Sequence, residues 1–164
     1  MTAAGAPRRS GDGFLRCSDG HVRWGRFGAA GVVFVVADGE GPRVLLQLRS
    51  AMAHEGGTWS CPGGAIDEGE SPLEAALREA SEEVGDAPEP WQLLGEHVFE
   101  PATDWRYTTA VIEVPARFGA SRNFESDAVR WFELEAVDAQ PLHAGFAAAW
   151  PHLRPIAASA GRGA

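Results

Sequence analysis

The chain has 164 residues, 45% of them hydrophobic, and a formal charge of −9. That is enough for one domain with a real core, and too acidic for a general nucleic-acid surface, which needs basic side chains to displace counterions. Cys17 and Cys61 stand far apart with no CxxC, which excludes a zinc site and a disulfide framework; no apolar run reaches membrane-spanning length and no signal-peptide core is present, so a cytoplasmic location is expected.

Residues 1–13 are small, polar and Gly/Ala-rich, and read as a disordered arm. In Phe14 to Trp24, the alternation of Val22 and Trp24 is compatible with an edge strand. Gly31 to Ala37 (GVVFVVA) is a continuous β-branched run, as a strand buried on both faces requires. Asp38 to Pro42 is a turn cluster, Arg43 to Arg49 a second strand, and Ser50 to Thr58 a polar loop. Trp91 to Glu100 and Trp105 to Pro115 are strands on either side of a turn at Pro101 to Asp104. Ser126 to Phe132 is another strand, and Ala144 to Leu153 an apolar helix that Pro151 should bend or end. Residues 157–164 read as a flexible tail, leaving 14–156 as the single domain.

The most informative stretch is Trp59 to Asp86. Ser71 is a candidate N-cap, Pro72 suits the first helical position, and Glu74 falls three residues after the cap. Leu73, Ala76, Leu77, Ala80 and Val84 form one apolar stripe, and Gly85 is placed to end the helix in a left-handed cap. Glu79, Glu82 and Glu83 occupy a fan of roughly 100° directed away from that stripe. Like charges at this spacing repel, and a divalent cation reverses the sign; carboxylates suit a hard, oxygen-seeking ion such as Mg2+ or Mn2+. Before the helix, Gly63 and Gly64 allow backbone to approach a metal or phosphate closely.

Gly64, Glu70, Arg78-Glu79, Glu82-Glu83 and Gly85 stand at the spacing of the Nudix box, and Trp59-x-x-Pro62-Gly63-Gly64 is similar to its usual lead-in. Asp86 departs from the aliphatic residue usual at the last position. The chain therefore resembles the Nudix hydrolases. The resemblance implies an α/β fold, a Nudix-type α/β/α sandwich with a mixed β-sheet, and agrees with the strand and helix order. It implies hydrolysis of the pyrophosphate bond of a nucleoside diphosphate linked to another group. Glu79, Glu82 and Glu83, with Gly63, would hold Mg2+ or Mn2+. Arg78 would hold a glutamate by ion pairing, Glu70 or Glu79. Glu82, Glu83, Arg78 and Glu70 are thus the expected catalytic set.

Substrate contacts are expected from Trp59, Arg49, Glu100, Trp105 and Tyr107. Pro101, fifteen residues beyond the box, resembles the proline that often marks ADP-ribose pyrophosphatases. An oxidised nucleoside triphosphate is the alternative substrate, and a silent nucleotide-sensing module of the same fold the alternative function. Glu100, Asp104, Glu125 and Asp127 are candidate bases outside the box. The expected partner is a small nucleotide derivative, with neither a nucleic-acid polymer nor a membrane; a homodimer is left open.

Overall fold

The computed structural model describes residues 8–120 and 126–162. In chain order the strands are β1 (Phe14–Arg16), β2 (Val22–Trp24), β3 (Ala29–Ala37), β4 (Pro42–Arg49), β5 (Trp59–Ser60) and β6 (Gly63–Ala65). Helix α1 (Pro72–Glu83) follows, then β7 (Gln92–Ala102), β8 (Trp105–Glu113), β9 (Ser126–Glu133), a short α2 (Leu134–Val137) and α3 (Ala144–Ala157).

β3 is the central strand because its side chains are apolar on both sides. Ala30, Val32, Phe34 and Val36 face one way, packing with Ala76 and Ala80 of α1 and with Val84 at its C-cap. Val33 and Val35 face the other way, packing with Phe146, Trp150 and Leu153 of α3. Each such side chain, fully buried, is worth about 1.5–3 kcal/mol of transfer free energy. The strand order is β5-β4-β3-β8-β7, with β6 added to β3 and β9 to β4. Among the described strands only the β3–β8 pair is parallel, so the sheet is mixed and has a helix layer on each face, the expected α/β/α sandwich.

One edge of β3 is shared. Val35 to Ala37 pair with β4, whereas Ala29 to Gly31 pair with β6. The sheet forks there, and α1 lies across the β6 branch. This fork positions the site described below.

Three expectations need correction. Arg9 to Gly11 are not an unattached arm: the N–H of Glu68 donates to Arg9 O and that of Arg26 to Gly11 O, while buried Gly11 leaves no room for a Cβ beside the Ile66 carbonyl. The strand expected at Val22 and Trp24 is present as β2, and it pairs with β1 in a two-stranded hairpin, Phe14 opposite Trp24. α3 runs through Pro151 to Ala157. Pro151, Pro155 and Ala147 are all exposed, so the carbonyls that lose an amide partner lie on the wet face, where water replaces it. Finally, the beginning of the supposed tail is packed: Ala157 and Ala160 are buried, and the Gly161 N–H donates to Glu113.

Candidate active site

The box helix begins as its sequence dictates. Ser71 is extended, and its hydroxyl accepts the N–H of Glu74 at 3.1 Å, with Pro72 opening the first turn. The Glu74 carboxylate does not complete a capping box; it turns outward to Arg8 at 3.4 Å. At the other end Gly85 has φ +111° and its N–H donates to Ala80 O, the left-handed stop.

The carboxylate fan does not face open water. Glu83 is only 4% exposed, and its Oε2 accepts the Gly63 N–H at 2.9 Å. Glu79 lies against Gly64 so closely that a Cβ there would stand 2.6 and 2.8 Å from its two oxygens. Glu82 alone of the three stays at the surface, its side chain 58% exposed. Gly64 is thus required by the close approach of the Glu79 carboxylate, and Gly63 by that of the Ala30 carbonyl, the Gly31 backbone and the Tyr107 hydroxyl.

Arg78 sits at the centre. Its Nε and Nη2 fork onto Glu70 at 2.8 and 3.0 Å, Nη1 donates to Glu79 at 2.9 Å, and Nη2 donates to the Ala65 carbonyl at 3.0 Å. Asp67 at 3.5 Å and Glu82 at 3.8 Å complete the ring. Glu70 also accepts the Asp67 N–H. Burial would raise the Glu70 carboxyl, yet these hydrogen bonds and the Arg78 charge hold it below its ordinary range. Glu79 goes the other way. Burial pushes it up to about 6 against the pull of Arg78, and the Glu82 and Asp12 charges add to the rise. The Arg78 guanidinium is held still more firmly protonated, chiefly by Glu70. The crease therefore carries more negative charge than its one guanidinium neutralises.

The NUDIX domain family matches residues 26–152. A putative 8-oxo-dGTP diphosphatase 3 of Mycobacterium tuberculosis is 40% identical over 158 residues, 93% of this chain and 73% of that protein. The chain belongs to the Nudix family. Among solved structures, the Nudix hydrolase RenU of M. smegmatis aligns with a TM-score of 0.76 at 36% identity, covering 92% of this chain and 97% of that one. The NUDIX domain of Shewanella oneidensis NrtR, solved with ADP ribose, shares the fold at 21% identity, with a TM-score of 0.62 over 81% of this chain and 89% of that one. Family membership makes the chain a pyrophosphohydrolase, and Nudix hydrolases generally use divalent metal ions.

The donor chemistry of the Nudix crease fits such an ion: oxygen ligands only, in a region of surplus negative charge. As placed, no three His, Cys, Asp or Glu side chains among the described residues converge to metal-holding distance. Glu79 is turned to Arg78 and Glu83 to Gly63, while Glu82 lies at the surface, 3.8 Å from Arg78.

The expected substrate residues scatter. Trp59 is 6% exposed, with its ring edge against Phe132 at 4.9 Å and Arg130 over it, so it is core and not a base-stacking platform. Trp105 is 9% exposed, donates to the Trp24 carbonyl at 3.2 Å and lies under Arg23, so it anchors the β1–β2 hairpin. Arg49 donates to the His54 carbonyl at 2.8 Å and ties down the 50–58 loop. Tyr107 turns its hydroxyl toward Gly31, Gly63 and Cys61, at the rear of the Nudix turn. Of the candidate bases, Glu100 faces Arg106 at 3.6 Å, and Asp104 accepts the Ser18 N–H at 2.9 Å, which ties down the hairpin loop. Glu125 and the Asp127 side chain lie outside the described residues.

Sequence reasoning missed Asp67, which faces Arg78, and the segment 9–12. Arg9 forks onto Glu68 with two bonds of 2.7 Å, and the Gly11 N–H donates to Asp67 at 2.9 Å. That clasp holds the turn from which Glu70 reaches Arg78 and brings Asp12 near Glu79. The Gly11-Asp12-Gly13 triplet was its only signal, a turn-forming pattern inside a stretch read as featureless. Among the described residues no helix is long and apolar enough to cross a membrane.

Proposed function

We propose that this hydrolase cleaves a nucleoside triphosphate bearing an oxidised purine, releasing the nucleoside monophosphate and pyrophosphate. The cation is Mg2+ or Mn2+, held by Glu79, Glu82 and Glu83 at the Gly63 turn. The observation that carries the reading is the crease itself, where box carboxylates meet the Gly63–Gly64 backbone with negative charge in excess. Bound ions would supply the positive charge that neutralises phosphate oxygens and favours in-line attack by water. The chain supplies positioning: Arg78 locks Glu70 and Glu79, and the Gly63 N–H orients Glu83.

The substrate class is supported by the M. tuberculosis relative, whose name is that of an 8-oxo-dGTP diphosphatase and which this chain matches over most of its length. The ADP-ribose reading rested on Pro101. That residue sits between Phe99 and Ala102, where the pairing of edge strand β7 is irregular. A proline there costs no ladder hydrogen bond, so the fold accounts for it without a ligand. The sensing-module reading is disfavoured by the presence of all four box glutamates.

The test is product release from 8-oxo-dGTP, dGTP, ADP-ribose, NADH, nucleotide sugars and dinucleoside polyphosphates, each with Mg2+, Mn2+ or chelator. The expected result is metal-dependent pyrophosphate release, with kcat/KM highest for 8-oxo-dGTP. A higher value for ADP-ribose would overturn the substrate assignment; tight binding with no turnover of any compound would overturn the hydrolytic one.

A further inference from the structure

β3 and β6 pair with glycine facing glycine, Gly31 opposite Gly63. The space that two side chains would fill is shared by the Ala30 carbonyl, the Gly31 backbone and the hydroxyl of Tyr107, reaching across from β8. A Cβ on Gly31 would lie 2.5 Å from that oxygen and 3.1 Å from Cys61 Sγ; a Cβ on Gly63 would lie 2.8 Å from the same oxygen. Three strands and the Cys61 thiol therefore close on one hydroxyl. The Tyr107 ring is half-buried beside Trp105, but its polar end is enclosed. Burial pushes the phenol well above its ordinary pKa, with Cys61 and Glu83 acting in the same direction, and burial with the Glu83 charge pushes the Cys61 thiol up to about 12. The hydroxyl is a spacer wedged between the two strands. The Gly63 peptide it braces is the one whose N–H holds Glu83 at 2.9 Å.

We propose that Tyr107 is a positioning residue of this hydrolase: its hydroxyl, lodged in the Gly31–Gly63 notch, fixes the Gly63 peptide and through it the Glu83 carboxylate that receives the divalent cation. A tyrosine serving only as core would be replaceable by phenylalanine without consequence for the metal, and that difference makes the role testable. The inference rests on the reading of Glu83 as a cation ligand.

Tyr107 is the chain's single tyrosine, so metal-free protein labelled with 3-fluorotyrosine gives one 19F resonance. Mg2+ is expected to move that resonance along a saturation curve, and Glu83→Gln to abolish the movement. Tyr107→Phe is expected to bind Mn2+ about tenfold more weakly, as outer-shell partners of a metal site do. The readouts are the electron paramagnetic resonance of free Mn2+, taken well below the melting temperature of each protein, and a KM for metal that rises more than kcat falls. Equal Mn2+ affinity in wild type and Tyr107→Phe, with weak binding by Glu83→Gln, overturns the role of Tyr107 and leaves the cation reading standing. Undiminished binding by Glu83→Gln overturns the cation reading and this inference with it. Should Tyr107→Phe not fold, the fluorine signal decides alone: a resonance unmoved at saturating Mg2+ overturns the coupling.

Discussion

Two arginines organise two corners of this molecule, and the charge around them differs. In the β1–β2 hairpin, Arg23 meets one carboxylate, Asp19, through bonds of 2.9 and 2.8 Å, and lays its guanidinium over the Trp105 ring. The two charges of that pair cancel. In the Nudix crease, Arg78 is surrounded by Asp67, Glu70, Glu79 and Glu82, while Glu83 is buried nearby. There the acids outnumber the base, and Glu79 is pushed up to about 6, chiefly by burial and further by the Glu82 and Asp12 charges, even though it is bonded to Arg78. A balanced ion pair of this kind braces structure; the unbalanced one, held in place by glycine backbone and a capped helix, is where we propose that a cation binds.

Mutations can break this comparison at either corner. The largest effect is expected for Glu83→Gln or Glu82→Gln, which removes negative charge from the crease: hydrolysis should fall by about 10³-fold or more, some 4 kcal/mol of barrier. Circular dichroism should stay unchanged. Turnover near wild type would end the metal assignment of either residue. Next is Arg78→Ala, which leaves Glu70 and Glu79 without their shared donor; activity should fall by about 10²-fold and the melting temperature should drop with it. Arg78→Lys should rescue little, because a single ammonium cannot fork onto Glu70 and reach Glu79 at once. Asp19→Asn at the hairpin should lower the melting temperature by a few degrees and leave turnover per folded molecule as it was. A loss of turnover there would show that the two corners are not separate.

A smaller effect belongs to His143. Its Nδ1 accepts the N–H groups of Gly145 and Phe146 at 3.1 and 3.4 Å, capping α3, and its Nε2 faces Glu55 at 2.8 Å. Burial lowers its pKa, more than Glu55 raises it. The unfolded chain then takes up this proton at a higher pH than the folded chain does. The contribution of the cap is full above the ordinary histidine range, near about 6.5, and is lost as pH falls through that value toward the folded pKa. His143→Asn, a cap that does not titrate, should show a smaller fall in melting temperature between about pH 7.5 and about pH 5.5 than wild type.

What could be read from sequence was what is local. Ser71, Pro72, Gly85 and the 3–4 spacing of the apolar residues fix α1 without help from the rest of the chain. The β-branched run of β3 announces burial on both faces. The burial of Glu83 was not legible, because a helical wheel does not say that β6 lies across that face. Nor were the fates of Trp59 and Trp105: aromatic residue type is the same in a core and in a pocket, and only packing separates them. The ends of the chain misled for a related reason. Small residues such as Gly11, Ala157 and Ala160 read as featureless, yet their size is what lets backbone lie close against the fold, Gly11 against the Ile66 carbonyl and the end of α3 against the sheet.

The central claim is that the Nudix crease holds surplus negative charge shaped for a divalent cation. It is tested most directly by calorimetric titration of the metal-free protein with Mg2+, in wild type and in Glu82→Gln/Glu83→Gln. The account predicts saturable binding by the wild type and its loss in the double variant. No saturable binding by the wild type, or equal binding by both, would contradict it.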